Sequence, residues 1–310
     1  MSYTIVIHGG AGTILRDEMH PGMEQGYRNA LQMALDTGYA VLHRGGKAMD
    51  AVRAAVISLE DNELFNAGRG SVYTKEGTQE MDAAIMDGSN LDAGAVSNVR
   101  NIRNPISLAY NVMTRSPHVL LNGSGANEFA RVVGARTEPD EYFYNEYRHQ
   151  QWRSLQHTDE VALDHNVKPG DKKFGTVGAV ACDAQGNLAA ATSTGGMTNK
   201  QWGRVGDSCI IGSGTYANNN TCAISCTGHG ELFIRAVAAY DVSCLMEYRG
   251  LSLQQAMETV VHDKLVKIGG EGGMIGVDAK GNAALIFNSA GMYRGIRTSN
   301  DFTDIAIYRQ

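Results

Sequence analysis

The side chains in this sequence best placed for chemistry are hydroxyls, and the first is Thr176 in DKKFGTVGAVACD (171–183). A charged run ends at Phe174-Gly175, an apolar run begins at Val177, and one threonine stands between them. A threonine hydroxyl attacks a carbonyl only when a base takes its proton. One such base is the residue's own α-amine, with a pKa of about 7.7–8.0, and it is available only when the threonine begins a chain. An internal threonine meets that condition only if the bond before it is cut. Gly175 permits the unusual backbone angles that bring a hydroxyl onto the preceding carbonyl. Taken alone, the stretch is equally the start of a strand, which β-branched threonine favours.

Further hydroxyls and charges follow in ATSTGGMTNKQWGRVGDSCIIGSGTYANN. Thr194 ends the next strand-like run, so a hairpin would bring its hydroxyl beside Thr176. Arg204 and Asp207 are opposite charges three residues apart. They are either a surface pair of little energetic weight or a clamp for a zwitterion, with the guanidinium on a carboxylate and Asp207 on an ammonium. CTGHGE (226–231) ends a strand and opens a helix, where the Thr227 hydroxyl and the Gly228 N–H suit an oxyanion.

The elements that must position these groups can be read from periodicity. YTIVI (3–7) reads as a strand breaking at His8-Gly9-Gly10. Met23–Leu42 and Lys47–Leu59 carry helical spacing, the first stopped by Gly45-Gly46. EMDAAIMDG (80–88) and AGAVSNV (93–99) read as antiparallel neighbours, and Pro105–Met113 and Asn127–Val133 as short helices. Residues 143–173 are polar; their first half reads as a solvated helix and the part from Asp159 as an exposed linker. The runs 176–183 and 187–194 form a hairpin around Ala184-Gln185-Gly186. TCAISCTG (221–228) is a strand before a helix at Glu231–Tyr248; Leu253–Val266 is another helix, and 272–278 with 282–288 a last hairpin. Strands and helices in groups suggest antiparallel sheets covered by paired helices. No motif is apparent after Tyr293.

Composition excludes other classes. A net charge of −6 without long like-charge runs argues against nucleic acid or an anionic membrane as partner. No stretch approaches the 18 or so apolar residues of a membrane span. The five cysteines lack zinc-finger spacing and read as buried reduced thiols, which fits the cytoplasm. The N-terminus reads as a first strand rather than a signal peptide. HGGAG (8–12) resembles the oxyanion loop of α/β-hydrolases, yet no serine has glycine at both −2 and +2. No dinucleotide or P-loop glycine pattern occurs. His8 and His229 read as structural or solvent-facing, and Asp82 and Asp87 as turn and surface groups.

Together HGGAG, LFNAGRGSV, MDAAIMDG, AGAV, RNPISLA, GTVGAVACD, NLAAATSTGGMTNK, GRVGDS, GTYANN and CTGHGE, in order from residue 3 to about 295, resemble the plant-type asparaginases, or isoaspartyl peptidases, of the N-terminal nucleophile hydrolases. The resemblance implies an α+β fold, a four-layer αββα sandwich with two antiparallel sheets between helix layers. It implies one domain, 1–310, made as a precursor and cut into residues 1–175, ending in the polar stretch 143–175, and residues 176–310. A homodimer of cleaved units is implied, as is hydrolysis of L-asparagine and β-aspartyl dipeptides to L-aspartate without a catalytic cofactor. Carried over, Thr176 is nucleophile and, with Gly175, the cleavage site, and Thr194 orients it. Thr227 and Gly228 form the oxyanion hole. Arg204, Asp207 and Gly230 hold the aspartyl group, and Asn66 lies close to the nucleophile and assists cleavage. Main-chain oxygens of Leu59, Glu60, Asn62, Phe65, Ala67 and Arg69 match a structural sodium loop. The alternatives are a glycosylasparaginase-like amidase, against which Gly175 argues, a threonine aspartase, and an uncleaved aspartate-binding protein.

Overall fold

A computed structural model describes residues 2–156 and 173–309. In chain order come β1 (Thr4–Gly12), α1 (Pro21–His43), α2 (Ala48–Glu60), β2 (Met81–Asp87), β3 (Ala93–Val99), α3 (Pro105–Arg115), β4 (Leu120–Asn122), α4 (Gly123–Val133), α5 (Asp140–Phe143), α6 (Glu146–Leu155) and β5 (Lys173–Phe174). There follow β6 (Val177–Cys182), β7 (Leu188–Thr194), β8 (Thr215–Ala217), β9 (Cys222–Gly228), α7 (Gly230–Ala236), α8 (Ala238–Arg249) and α9 (Leu253–Glu258). The last strands are β10 (Gly272–Asp278), β11 (Ala283–Phe287), β12 (Gly291–Thr298) and β13 (Thr303–Tyr308).

One sheet has the order β13-β12-β1-β6-β7-β2-β3-β4, with β5 also paired to β1; the other runs β11-β10-β9-β8. The central strands of the large sheet are apolar on both faces because both faces are covered. Ile5, Ile7, Val177, Ala179, Ala181, Ala189 and Ala191 face a core shared with α1, α2 and α3. Their alternate neighbours Val6, Val180, Leu188 and Ala190 face a second core shared with the small sheet, α8 and α9. The period of two therefore assigns each strand residue to the helix side or the inter-sheet side. Leu31, Leu35, Ile5 and Ile7 are fully buried, and each stabilises the fold by about 1.5–3 kcal/mol. The result is the expected four-layer arrangement. Among the described residues no helix is long and apolar enough to cross a membrane, and all five cysteines are unpaired.

The structure departs from the expectations in several places, each with a physical reason. Strand β1 does not stop at His8; it continues to Gly12 through a bulge between His8 and Gly10, where Gly10 takes φ 111°. Strand β4 joins β3 in parallel, because α3 provides the crossover that parallel neighbours need. The helix expected over Glu231–Tyr248 is two helices, broken at Val237 with φ 49°. The next helix passes from α9 into a π-helical turn, Thr259–Leu265. Helix α6 is not a solvated helix: Arg148 and Gln151 are buried, and Arg148 Nε donates to the Gly70 carbonyl at 3.2 Å. The residues after Tyr293 complete β12 and, with β13, the edge of the large sheet next to β1. The expected linker from Asp159 lies largely outside the described residues.

Candidate active site

The hairpin register sets the first half of the site. Val177 pairs with Ser193 and Cys182 with Leu188, so one step further Thr176 stands opposite Thr194. Asp183 fixes the turn by accepting from the Gln185 and Asn187 N–H groups at 3.0 and 2.9 Å. Ser193 points to the helix layer, where its hydroxyl donates to Glu60 Oε1 at 2.7 Å. Its neighbours Thr192 and Thr194 therefore point between the sheets, and Thr192 Oγ1 meets Ser225 Oγ at 2.7 Å.

Thr194 uses its whole hydrogen-bonding capacity on the seam. Its Oγ1 accepts from Thr176 Oγ1 at 3.3 Å and from the Gly196 N–H at 2.9 Å, and donates to the Gly175 carbonyl at 3.0 Å. One donor and two lone pairs are all a hydroxyl has. Asn66 is fully buried but is recorded on the adjoining turn rather than on Thr176. Its Nδ2 donates to the Gly196 carbonyl at 2.8 Å, its Oδ1 accepts from the Val72 N–H at 3.0 Å, and its carbonyl accepts from the Gly195 N–H.

The second half of the site comes from the loop after β7 and the start of α7. Arg204 forms a two-pronged pair with Glu231, Nε and Nη2 donating at 2.8 and 2.9 Å. Burial works against the charged guanidinium, but Glu231 outweighs it and raises the Arg204 pKa. Asp207 is 4% exposed, and its Oδ2 has no hydrogen-bond partner among the described residues. Burial, opposed by Arg204, pushes its carboxyl up to about 7. Gly230 packs directly on the pair: a Cβ there would lie 2.9 Å from both Arg204 Nη2 and Asp207 Oδ1. Thr227 ends the buried part of β9, and its Oγ1 likewise has no partner among the described residues.

Gly175, Thr176, Thr194, Gly196, Arg204, Asp207 and Gly228 line one cavity of about 20 Å³, room for roughly one water. Larger hollows of about 490 and 310 Å³ lie elsewhere, lined by Trp152 and Tyr147 among others. They carry no convergent nucleophile, so chemistry rather than size identifies the site. His8 is fully buried, held by Ser225 Oγ at 2.9 Å, and burial drives its pKa down to about 3. It is neutral and structural, as expected. His229 is half-exposed, 3.5 Å from Glu231.

Asp82 corrects the expectation of a surface group. It is fully buried, opposite Thr194 across β2 and β7, and accepts from the Asn98 N–H at 2.8 Å. The sequence reading gives Glu231 no role, although it stands in CTGHGE; a carboxylate 27 residues from Arg204 gives no local sign of pairing with it. In the loop after α2, carbonyls of Glu60 and Phe65 crowd Gly68 and Gly70, respectively. Leu59, Asn62, Phe65 and Ala67 carbonyls already accept backbone N–H groups; Leu59 accepts two, and Asn62, Phe65 and Ala67 each keep a second lone pair. Among the described residues no His, Cys, Asp or Glu cluster could hold a metal, so a cation here would rest on main-chain oxygens, which suit a hard ion.

Comparison with known proteins agrees with the geometry. A family model described as asparaginase matches residues 1–307. The chain is 53% identical to an isoaspartyl peptidase of Salmonella typhimurium, over 99% of this chain and 98% of that one. It is 50% identical to an isoaspartyl peptidase of Escherichia coli, over 99% and 96%. An isoaspartyl peptidase/L-asparaginase of Xenopus laevis is 44% identical over 93% and 90%. With the match spanning both halves of the site, the chain belongs to the asparaginase family.

Proposed function

We propose that this protein is a threonine hydrolase that cuts itself before Thr176 and then hydrolyses the side-chain amide of L-asparagine and of β-aspartyl dipeptides. The observation that carries the reading is the Thr176–Thr194–Gly175 triangle. In the uncut chain Thr194 accepts the nucleophile's hydrogen bond and donates to the carbonyl under attack. Thr176 Oγ1 adds to the Gly175 carbonyl carbon, the C–N bond breaks, the nitrogen gains a proton, and an ester forms. Water hydrolyses the ester, leaving a Gly175 carboxylate and a free Thr176 amine.

The freed amine then serves as the base. It takes the hydroxyl proton as Oγ1 attacks the substrate's side-chain carbonyl, and returns it to the departing ammonia or amino acid. Thr227 Oγ1 and the Gly228 N–H face the oxyanion, each donor lowering the barrier by about 3 kcal/mol. Water releases aspartate from the acyl ester by the reverse proton path. Arg204 takes the substrate's α-carboxylate and Asp207 its α-ammonium, with Gly230 leaving room.

Residues 59–69 fit a structural sodium ion on main-chain oxygens; it would brace the loop that carries Asn66. The working unit is a homodimer of cleaved chains in the cytoplasm, the latter supported by five unpaired thiols. Assay of the purified protein against L-asparagine and β-aspartyl-leucine tests the reading: aspartate released from at least one is expected, and release from neither contradicts it.

A further inference from the structure

A row of buried polar groups lies between the two sheets, one step beneath the nucleophile. On the large sheet Val6, Val180 and Ala190 are cross-strand neighbours on β1, β6 and β7, and two residues along so are His8, Gly178 and Thr192. Two residues further lie Thr176, just ahead of β6, and Thr194, the last residue of β7. On the small sheet Ser225 pairs with Thr215, and Thr227 follows two residues on, on the same face as Ser225. His8, Thr192, Thr215 and Ser225 are all fully buried.

Ser225 crosses the gap between the sheets. Its Oγ lies 2.9 Å from His8 Nε2 and 2.7 Å from Thr192 Oγ1. Gly178 admits it: a Cβ at that position would overlap both Ser225 Oγ and His8 Nε2. Thr215 Oγ1 donates its one proton to the Ser208 carbonyl at 2.9 Å, so at 2.7 Å it accepts from Thr192. Protons then run one way, from the His8 imidazole through Ser225, Thr192 and Thr215 to the Ser208 carbonyl. Each of the three hydroxyls both gives and accepts. Buried hydroxyls are costly unless satisfied, and a fully satisfied chain fixes geometry in a way that apolar contacts do not.

The separation of the sheets matters because the reaction spans them. Thr176 and Thr194 belong to the large sheet and Thr227 to the small one. Thr227 Oγ1 has no hydrogen-bond partner among the described residues, so its place depends on the strand that carries it. We propose that Ser225 is a positioning residue: bound to Thr192, it sets the spacing of the two sheets and holds the Thr227 hydroxyl where the oxyanion forms beside Thr176. The proposal rests on the reading of Thr176 as nucleophile and Thr227 as oxyanion donor. Asp207 is held by its own turn, its carbonyl accepting from the Ile210 N–H at 2.9 Å, so substrate binding should change little.

The test is kcat and KM for L-asparagine, per cleaved chain, in wild type, Thr192→Val, Thr192→Ser, Ser225→Ala and the Thr192→Val/Ser225→Ala double variant. Thr192→Val keeps the shape and removes the link; kcat is expected to fall about tenfold, with KM within about twofold of wild type. Thr192→Ser keeps the hydroxyl and should keep kcat within about twofold. Ser225→Ala should match Thr192→Val, and the double variant should be no worse than either, because both remove one link. A Thr192→Val protein with a lower Tm but the wild-type kcat would have lost only packing, and would overturn the proposal. An equal loss in Thr192→Ser, or a loss carried by KM alone, would overturn it as well. If Thr192→Val does not fold or cut itself, Ser225→Ala decides alone, and an unchanged kcat overturns it. A wild type without hydrolysis sinks the functional reading and this proposal with it; an active wild type whose variants keep its kcat sinks this proposal only.

Discussion

Thr176 and Thr194 face each other at the open end of one hairpin, whereas Arg204, Asp207 and Glu231 are gathered from a loop and a helix start. The hydroxyl half carries no charge, and backbone register places its members. The clamp half is a set of charges, Asp207 buried and Arg204 and Glu231 part-exposed, whose protonation depends on one another. Geometry governs the first half and electrostatics the second. Changes to the hydroxyl half should therefore act on bond-making steps, and changes to the clamp on binding and pH dependence.

The largest effect is expected from Thr176→Ala. It should abolish self-cleavage and lower hydrolysis by about 10⁴-fold or more, since nucleophile and base are lost together; the checks are gel analysis and an ammonia assay. Thr227→Val keeps shape but removes a donor. Steady-state kinetics should show kcat lower by about 10²–10³-fold with a small change in KM. On the clamp side, Arg204→Lys keeps charge but loses the planar fork, and KM for L-asparagine should rise about 10–100-fold with a smaller change in kcat. A fall in kcat at constant KM there would erase the division between the halves.

The mildest perturbation is pH itself. Asp207, raised to about 7, is ionised above that pH and takes a proton below it. In the wild type kcat/KM should therefore decline as pH drops from about 8 through about 7, the freed Thr176 amine and Asp207 each contributing up to roughly tenfold per unit. The sign reverses for folding. A carboxyl whose folded pKa is raised gives stability that is present at low pH and lost as pH rises from the unfolded value, about 3.9, toward about 7. Binding and stability thus respond to this group in opposite directions.

The same contrast explains what could be read from sequence. The pairing of Thr176 with Thr194 follows from two short apolar runs and a short glycine turn, all within about twenty residues. The apolar faces of β1, β6 and β7 were equally plain, because burial on both sides leaves an unbroken apolar run. Glu231 as partner to Arg204 had no such local sign, nor did the burial of Asp82. Strand β12 has no local signature because its partner is β1, with Thr298 opposite Thr4; pairing across the whole chain imposes no short-range pattern. The break at Val237 was hidden because a β-branched residue at positive φ runs against local preference. Local register was legible, and assembly over long separations was not.

Activity depends on one bond, between Gly175 and Thr176, and the intact mass of the purified protein reports on it directly. The expected result is two polypeptides, residues 1–175 and 176–310, which appear together as hydrolytic activity appears. A wild-type protein that hydrolyses L-asparagine as a single uncut 310-residue chain would contradict the claim that Thr176 supplies its own base.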